Sequence, residues 1–203
     1  ESLSSQYVSF SDILEKYKTK NTKIGIDVSS WQGDIDFKKL KKAGVEFVII
    51  RVGSYTGDDD KYFVDKKFIQ NIKGATEQKI EVGVYFYSYS SSIKEAKEDA
   101  KWVMSQIKDY QVTLPIAYDW EDWNYFNDYN LSFFGLTSMA EAFLEEVENA
   151  GYEGMLYSSK TYLENIWFPT KYDIWLAHYV EKTNYPGDYK IWQLTDKGKV
   201  DGI

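Results

Sequence analysis

Cysteine is absent from the 203 residues. That removes disulfides, thiol nucleophiles and thiolate metal sites, and it is neutral about compartment. A single histidine, His178, is present, so no zinc motif or other cluster built on paired histidines can exist. His178 reads as a hydrogen-bonded strand residue. A Ser-His-Asp triad would have to use it, yet no G-x-S-x-G elbow accompanies it. Neither common glycine loop for cradling phosphate occurs, so nucleotide binding has no support. No apolar run approaches the roughly 18 residues of a membrane-spanning helix, and no membrane span is expected. Residue 1 is Glu with no hydrophobic leader after it, so the chain start reads as a mature N-terminus or a linker end. Arginine is scarce as well. Arg51 is the only arginine and the net charge is −8, which argues against a nucleic-acid partner.

What the chain has in quantity is acid and aromatic side chains. Ten acids and no Lys or Arg lie between Asp109 and Ser159. Glu141, Glu145, Glu146 and Glu148 read as the solvated face of a helix, whereas Asp119, Glu121 and Asp122 lie outside it. Aromatics make up 18% of the residues, with 7 Trp and 18 Tyr. Tyr and Trp join an apolar ring to a polar tip and suit sugar rings as well as cores. For any one of them the core is the ordinary place; a cluster at strand ends would point to binding.

The pattern alternates strand and helix. Strands are expected at 23–29, 47–53, 80–89, 114–120, 154–160, 173–179 and 189–195, and an eighth begins at Val200 to Ile203. Helices are expected at 36–44, closed by Gly44, at 64–78, at 93–110 and at 136–150, closed by Gly151. Apolar strands separated by helices imply parallel pairing under a helical cover. The fold class is therefore α/β, a flattened TIM-like β/α barrel, with a doubly wound open sheet as the alternative. The short spacing after Gly151 leaves the last barrel units degenerate. Residues 1–22 stand apart as an N-terminal segment or linker, with SDILEKY as a short helix capped by Ser11, and 23–203 form the main domain.

Barrel active sites lie at the C-terminal ends of the strands, and the unusual residues fall there. Asp27 ends the first strand and Arg51 is near the end of the second. Tyr85, Tyr87 and Tyr89 share one face of the third. Asp119 and Glu121 end the fourth, in LPIAYDWED (114–122). Tyr157, Trp175 with His178, and Trp192 with Gln193 lie on the fifth, sixth and seventh. Asp119 and Glu121 point the same way, about 7 Å apart along the strand, and like charges that close resist joint ionisation. Asp122 faces the other way and reads as a turn residue. A hard-cation site made of Asp27, Asp119 and Glu121 is a minor alternative; no metal and no cofactor is expected. Glycoside hydrolysis fits best, because it needs one carboxyl kept protonated and another ionised. The bland alternative is that Asp119 caps a turn and Glu121 is merely solvated.

GIDVSSWQGDIDFKKLKKAGVEFVIIRVG (25–53) resembles the opening of family 25 glycoside hydrolases, the Chalaropsis-type lysozymes. VGVYFYSYS (82–90), LPIAYDWED (114–122), GMLYSS (154–159), IWLAHY (174–179) and IWQLTDKGKVDGI (191–203) match in order. The resemblance implies a (β/α)5β3 barrel that cuts the bond between N-acetylmuramic acid and N-acetylglucosamine in bacterial peptidoglycan. It implies Glu121 as general acid, Asp119 as helper of the substrate's acetamido group, and Asp27 as a further carboxylate. Tyr85, Tyr87, Tyr157, Trp175, Trp192 and Gln193 are the candidate substrate-binding residues. Two departures stand out. Phe86 replaces a histidine usual in the family's G-x-Y-H-F pattern. The chain also stops at Ile203, before a final strand with a V-D-x-N pattern. The expectation is a secreted or cell-wall-associated hydrolase, monomeric or one module of a longer chain, with a non-catalytic glycan-binding barrel as the alternative.

Overall fold

A computed structural model describes residues 2–56 and 61–203. The chain opens with β1 (Val8–Ser9) and α1 (Phe10–Tyr17). Ser9, not Ser11, caps α1, its hydroxyl accepting from the Asp12 amide at 3.2 Å. The cap comes two residues earlier than expected because Phe10 already belongs to the helix and buries its ring in the core.

Five strand–helix units follow. β2 (Gly25–Val28) passes through a 3-10 turn into α2 (Phe37–Ala43). Asp36 caps α2 at its start, and Gly44 closes it at φ 100°, a conformation that costs glycine little. β3 (Phe47–Thr56) and β4 (Lys61–Val64) pair antiparallel before α3 (Phe68–Glu77). β5 (Glu81–Ser88) leads to α4 (Ile93–Ile107), β6 (Ile116–Trp120) to α5 (Phe133–Asn149), and β7 (Gly154–Ser159) to α6 (Lys160–Asn165). β8 (Asp173–Ala177) and β9 (Ile191–Gln193) carry no helix, and β10 (Gly198–Lys199) ends the order.

Two expected elements differ. The helix expected from residue 64 starts at Phe68, because 61–64 extend the sheet instead. The Gly53 backbone explains why β4 can sit so close: a Cβ there would lie 2.0 Å from the Phe63 carbonyl oxygen. No strand begins at Val200. Gly198–Lys199 pair in parallel with Val8–Ser9 in a separate two-stranded sheet, and the last residues turn so that Gly202 accepts from the Asp36 amide at 2.9 Å.

The main sheet runs β2-β3-β5-β6-β7-β8-β9, with every neighbouring pair in that path parallel. Sequence order is spatial order, so each crossover moves the chain the same way. A doubly wound sheet would reverse direction at a switch point; steady progression makes the sheet curl instead. The curl shows in the packing. One face, with Val48, Ile50, Val84, Phe86, Ile116 and Leu156, is covered by the helices. The other is concave: Ile49 of β3 packs with Tyr157 of β7 and Trp175 of β8. The result is an α/β fold with a curled parallel sheet, a half-barrel. The described part of the N-terminal segment packs on it, with the Tyr17 hydroxyl donating to Glu181 O at 2.5 Å and the Leu3 amide to Tyr179 O at 2.9 Å. Among the described residues, no helix is long and apolar enough to cross a membrane.

Candidate active site

Alternation along β6 sorts its side chains. Tyr118 and Trp120 turn to the helix-covered core, and Asp119 between them turns to the concave side. In register, Asp119 lies between Tyr87 of β5 and Tyr157 of β7. It is 6% exposed, and among the described residues nothing donates to its Oδ1. A buried carboxylate oxygen without a donor is costly unless a ligand supplies one. Glu121, two residues on, leaves the strand end for the rim and keeps an exposed edge.

A hydrogen-bonded chain spans the gap between the outer strands. The hydroxyls of Tyr157 and Tyr179 donate to Gln193 Oε1 at 2.7 and 3.1 Å. With its oxygen so occupied, the Gln193 amide turns Nε2 to Asp27 Oδ2 at 2.8 Å. Side chains of β7, β8's end, β9 and β2 are thus tied together where the sheet's two edges face each other. A groove of about 860 Å³ runs along that seam, lined by Asp27, Tyr85, Trp175 and Gln193 among others. A second pocket of about 340 Å³ opens beside Glu121, between Tyr157, Tyr162, His178 and Tyr179.

Burial governs the charges. It lifts the Asp119 carboxyl well above its ordinary value, and the Glu121 and Asp27 charges add to the lift while the Arg51 guanidinium opposes it. Partial desolvation also raises Glu121. Asp27 is raised by desolvation, with the Gln193 bond working against the rise. Burial holds Tyr85 and Tyr157 in their neutral form, and the neighbouring carboxylates reinforce this. Burial likewise pushes Tyr179 up to about 12. These phenols are therefore hydrogen-bond donors, not bases, at any working pH.

The structure brings Asp27, Tyr85, Tyr87, Asp119, Glu121, Tyr157, Trp175 and Gln193 to one concave end. Trp175 packs edge-on against both Tyr85 and Tyr157, at 6.0 and 4.5 Å between ring centroids. Trp192 lines the same groove nearer α1. Its neighbours Ile191 and Gln193 face inward, so its own indole turns out to Tyr17 of α1 and donates to His178 O at 2.9 Å. Phe86 also faces away, packed among Tyr62, Trp102 and Phe143, so it is a core residue. Asp122 is buried and bonded to the Tyr129 hydroxyl, more than the turn residue expected of it. His178 Nδ1 bonds Thr183 Oγ1 at 2.8 Å. Sequence reading missed Tyr179 and Asp65. Tyr179 shares the inward alternation of Trp175 and Ala177, a signal that was present. Asp65 falls within the stretch expected as helix but precedes α3, where it bonds the lone arginine, Arg51. Among the described residues, no group of acids and His178 is arranged to hold a metal ion.

The profile of Glycosyl hydrolases family 25 matches residues 26–203. The Autolytic lysozyme of Clostridium acetobutylicum is 27% identical over 185 residues, covering 88% of this chain and 52% of its own length. The Escherichia coli protein YegX is 27% identical over 184 residues, covering 88% of this chain and 65% of its own length. The chain thus spans between half and two thirds of the curated relatives it matches. Among solved structures, the modular autolysin LytC of Streptococcus pneumoniae in complex with a synthetic peptidoglycan ligand superposes with a TM-score of 0.74 at 28% identity, over 91% of this chain and 45% of that one. A family 25 glycosyl hydrolase of Bacillus anthracis shares the fold with a TM-score of 0.74 at 24% identity, over 98% and 88% of the two chains.

Proposed function

The chain belongs to glycosyl hydrolase family 25, and from that premise we propose that it hydrolyses the β-1,4 bond between N-acetylmuramic acid and N-acetylglucosamine in bacterial peptidoglycan. The observation that carries the proposal is the pair on β6: a buried Asp119 with a donor-free Oδ1, two residues from a rim Glu121 that is raised by desolvation. Glu121 is the general acid for the leaving oxygen. Asp119 accepts the N–H of the substrate's 2-acetamido group and balances the positive charge that develops as the acetamido oxygen attacks the anomeric carbon. Configuration is retained, a substrate-assisted variant of the two-carboxylate scheme.

Proton placement follows from the charges. Two like charges this close do not both ionise readily. When a sugar presents its N–H to Asp119, the ionised form of that carboxyl gains a hydrogen bond. The shared proton then resides on Glu121, facing the glycosidic oxygen. Tyr85, Tyr157 and Trp175 form the aromatic wall, and the Tyr157–Gln193–Asp27 chain fixes its inner edge. Five strand–helix units followed by helix-less strands support the (β/α)5β3 plan. The reading places the protein outside the cell or on the wall, without a cofactor, as a monomer or as one module of a longer chain.

Replacing Glu121 by Gln tests this. Digested cell wall should show N-acetylmuramic acid at the new reducing ends with the unaltered protein. Release should fall by 100-fold or more, roughly the contribution of a positioned general acid, in a variant that stays folded. Undiminished release would remove Glu121 from its role. Binding to the wall with no new reducing ends from the unaltered protein would instead make the half-barrel a glycan-binding module.

A further inference from the structure

The family profile begins at residue 26, yet residues ahead of it hold part of the site. The chain connects β8 to β9 through irregular backbone, 178–190. Tyr179, whose hydroxyl reaches the Gln193 amide, lies on this connection. The connection is fixed from outside. The Leu3 amide donates to Tyr179 O at 2.9 Å, and Ser2 forms an antiparallel bridge with Val180. The Tyr17 hydroxyl donates to Glu181 O at 2.5 Å, and Lys16 Nζ lies 2.8 Å from the Glu181 carboxylate. The Tyr17 ring meets Trp192 edge-on, 5.7 Å between centroids, and Trp192 Nε1 donates to His178 O at 2.9 Å. Residues 178–181 are thus held by the N-terminal segment, directly or through Trp192. That segment is anchored in turn: Leu3, Phe10 and Ile13 are buried, and β1 pairs with β10.

We propose that residues 2–17 are a positioning arm for the active site: by fixing the backbone of 178–181 they hold the Tyr179 phenol on Gln193, and so keep the Gln193 amide aimed at Asp27. This rests on the hydrolytic reading, which places Asp27 in the site. A glutamine amide has a donor end and an acceptor end of nearly the same shape. Which end faces Asp27 is decided by what meets the other. Tyr157 and Tyr179 each donate to Oε1, at 2.7 and 3.1 Å, and that leaves Nε2 for Asp27 Oδ2 at 2.8 Å. Tyr157 is set by its own strand, β7. β8 ends at Ala177, short of Tyr179, so the Tyr179 backbone is set by Ser2 and Leu3 instead. Without Tyr179 in place a single donor is left to hold the amide. Were the amide to turn round, Oε1 would face the Asp27 carboxylate and two acceptors would oppose each other. The exposed Lys16–Glu181 pair adds little to the hold; the bonds to the backbone carry it.

The test reads the Gln193 side-chain amide by nitrogen-15 NMR, with no substrate present; the signals that vanish in Gln193→Glu are its own. Tyr179→Phe removes the second donor and sets the scale. The amide signals should move, and their exchange with water should quicken by about fivefold, as loss of one hydrogen bond of ordinary strength allows. Leu3→Pro takes away the amide donor, and Tyr17→Phe takes away the hydroxyl but leaves the ring for Trp192. Together these two changes should carry the Gln193 signals at least halfway to their Tyr179→Phe positions. In wall digestion the same pair should lower kcat by roughly tenfold, short of the 100-fold that a 1 Å misplacement can cost, and leave KM little changed. Should the pair unfold the half-barrel, Tyr17→Phe alone carries the test, with a smaller shift in the same direction. Gln193 signals that stay in place in the arm variants while Tyr179→Phe moves them would overturn the proposal, and so would signals that Tyr179→Phe itself leaves unmoved. Unchanged kcat with moved signals would overturn the arm's part in the reaction. Because the amide is read without substrate, that failure is separate from a failure of the hydrolytic reading.

Discussion

Replacing Asp99 by Asn should make the protein more stable at neutral pH, by an amount the structure sets. Asp99 lies on α4 and is 3% exposed. The hydroxyls of Tyr62 and Ser88 donate to its two oxygens, each at 2.8 Å. Ser88 in turn contacts Ser90 at 2.6 Å, and Ser90 contacts the Tyr118 hydroxyl at 2.7 Å and accepts Trp120 Nε1–H at its carbonyl at 2.9 Å. Tyr118 and Trp120 bracket Asp119, so this network backs the strand end that carries the site. Burial lifts the Asp99 carboxyl from 3.8 to about 6, against the pull of the hydroxyl bonds. At about 1.36 kcal/mol per pH unit that rise is worth about 3 kcal/mol. The sign follows from proton binding. The folded protein holds the Asp99 proton more tightly than the unfolded chain, so the stabilisation is complete below about pH 4 and is lost as pH rises through about 6. Asparagine has no such loss. It still accepts from Tyr62, and its amide donates to Ser88 once that hydroxyl rotates. Urea unfolding followed by tryptophan fluorescence at several pH values checks this. Asp27, Asp119 and Glu121 titrate in both proteins and cancel in the difference. The variant's advantage should grow by about 3 kcal/mol between about pH 4 and about pH 8. A difference flat within about 0.5 kcal/mol would refute the reasoning that Asp99 ionises against its surroundings.

Two further outcomes can be checked. Asp119→Asn should cost at least 100-fold in hydrolysis, in the range of a lost catalytic group. It should also raise the melting temperature above about pH 7, because a carboxyl raised by burial loses its stabilising effect as pH climbs; a lower melting temperature there would contradict the charge assignment. Ser9→Ala should destabilise by about 1 kcal/mol while Ser11→Ala should do markedly less, since only Ser9 accepts a helix amide. Equal losses in denaturant unfolding would restore Ser11 as the cap.

Much of the fold was legible from local pattern. Gly44 and Gly151 marked helix ends correctly because a left-handed closing residue selects glycine, here at φ 100° and 90°. The alternating run through Asp119 placed Tyr118 and Trp120 on one face and the carboxyl on the other. What failed were the places where distant partners outvoted local preference. Val64 opens the stretch with helical spacing but pairs with Gly53 of β3 as the last residue of β4. Val200–Ile203 read as strand but turn away, and Gly198–Lys199 pair with the N-terminal segment. Trp192 shares its strand position with the aromatic cluster, but Ile191 and Gln193 take the inward places, so its ring meets Tyr17 at the α1 side of the groove.

The sequence by itself determined the chemistry available: no thiol, one histidine, one arginine, and a D-x-E pair at a strand end, with motifs in order that resemble one hydrolase family. Only the tertiary structure decided which of these groups meet. The meeting of Gln193 with Asp27 across 166 positions depends on how tightly the sheet curls, whereas Arg51 meets Asp65 because β4 folds back antiparallel on β3. Curl is the sum of small twists between seven strands packed against their helices, and no short stretch of sequence carries that sum.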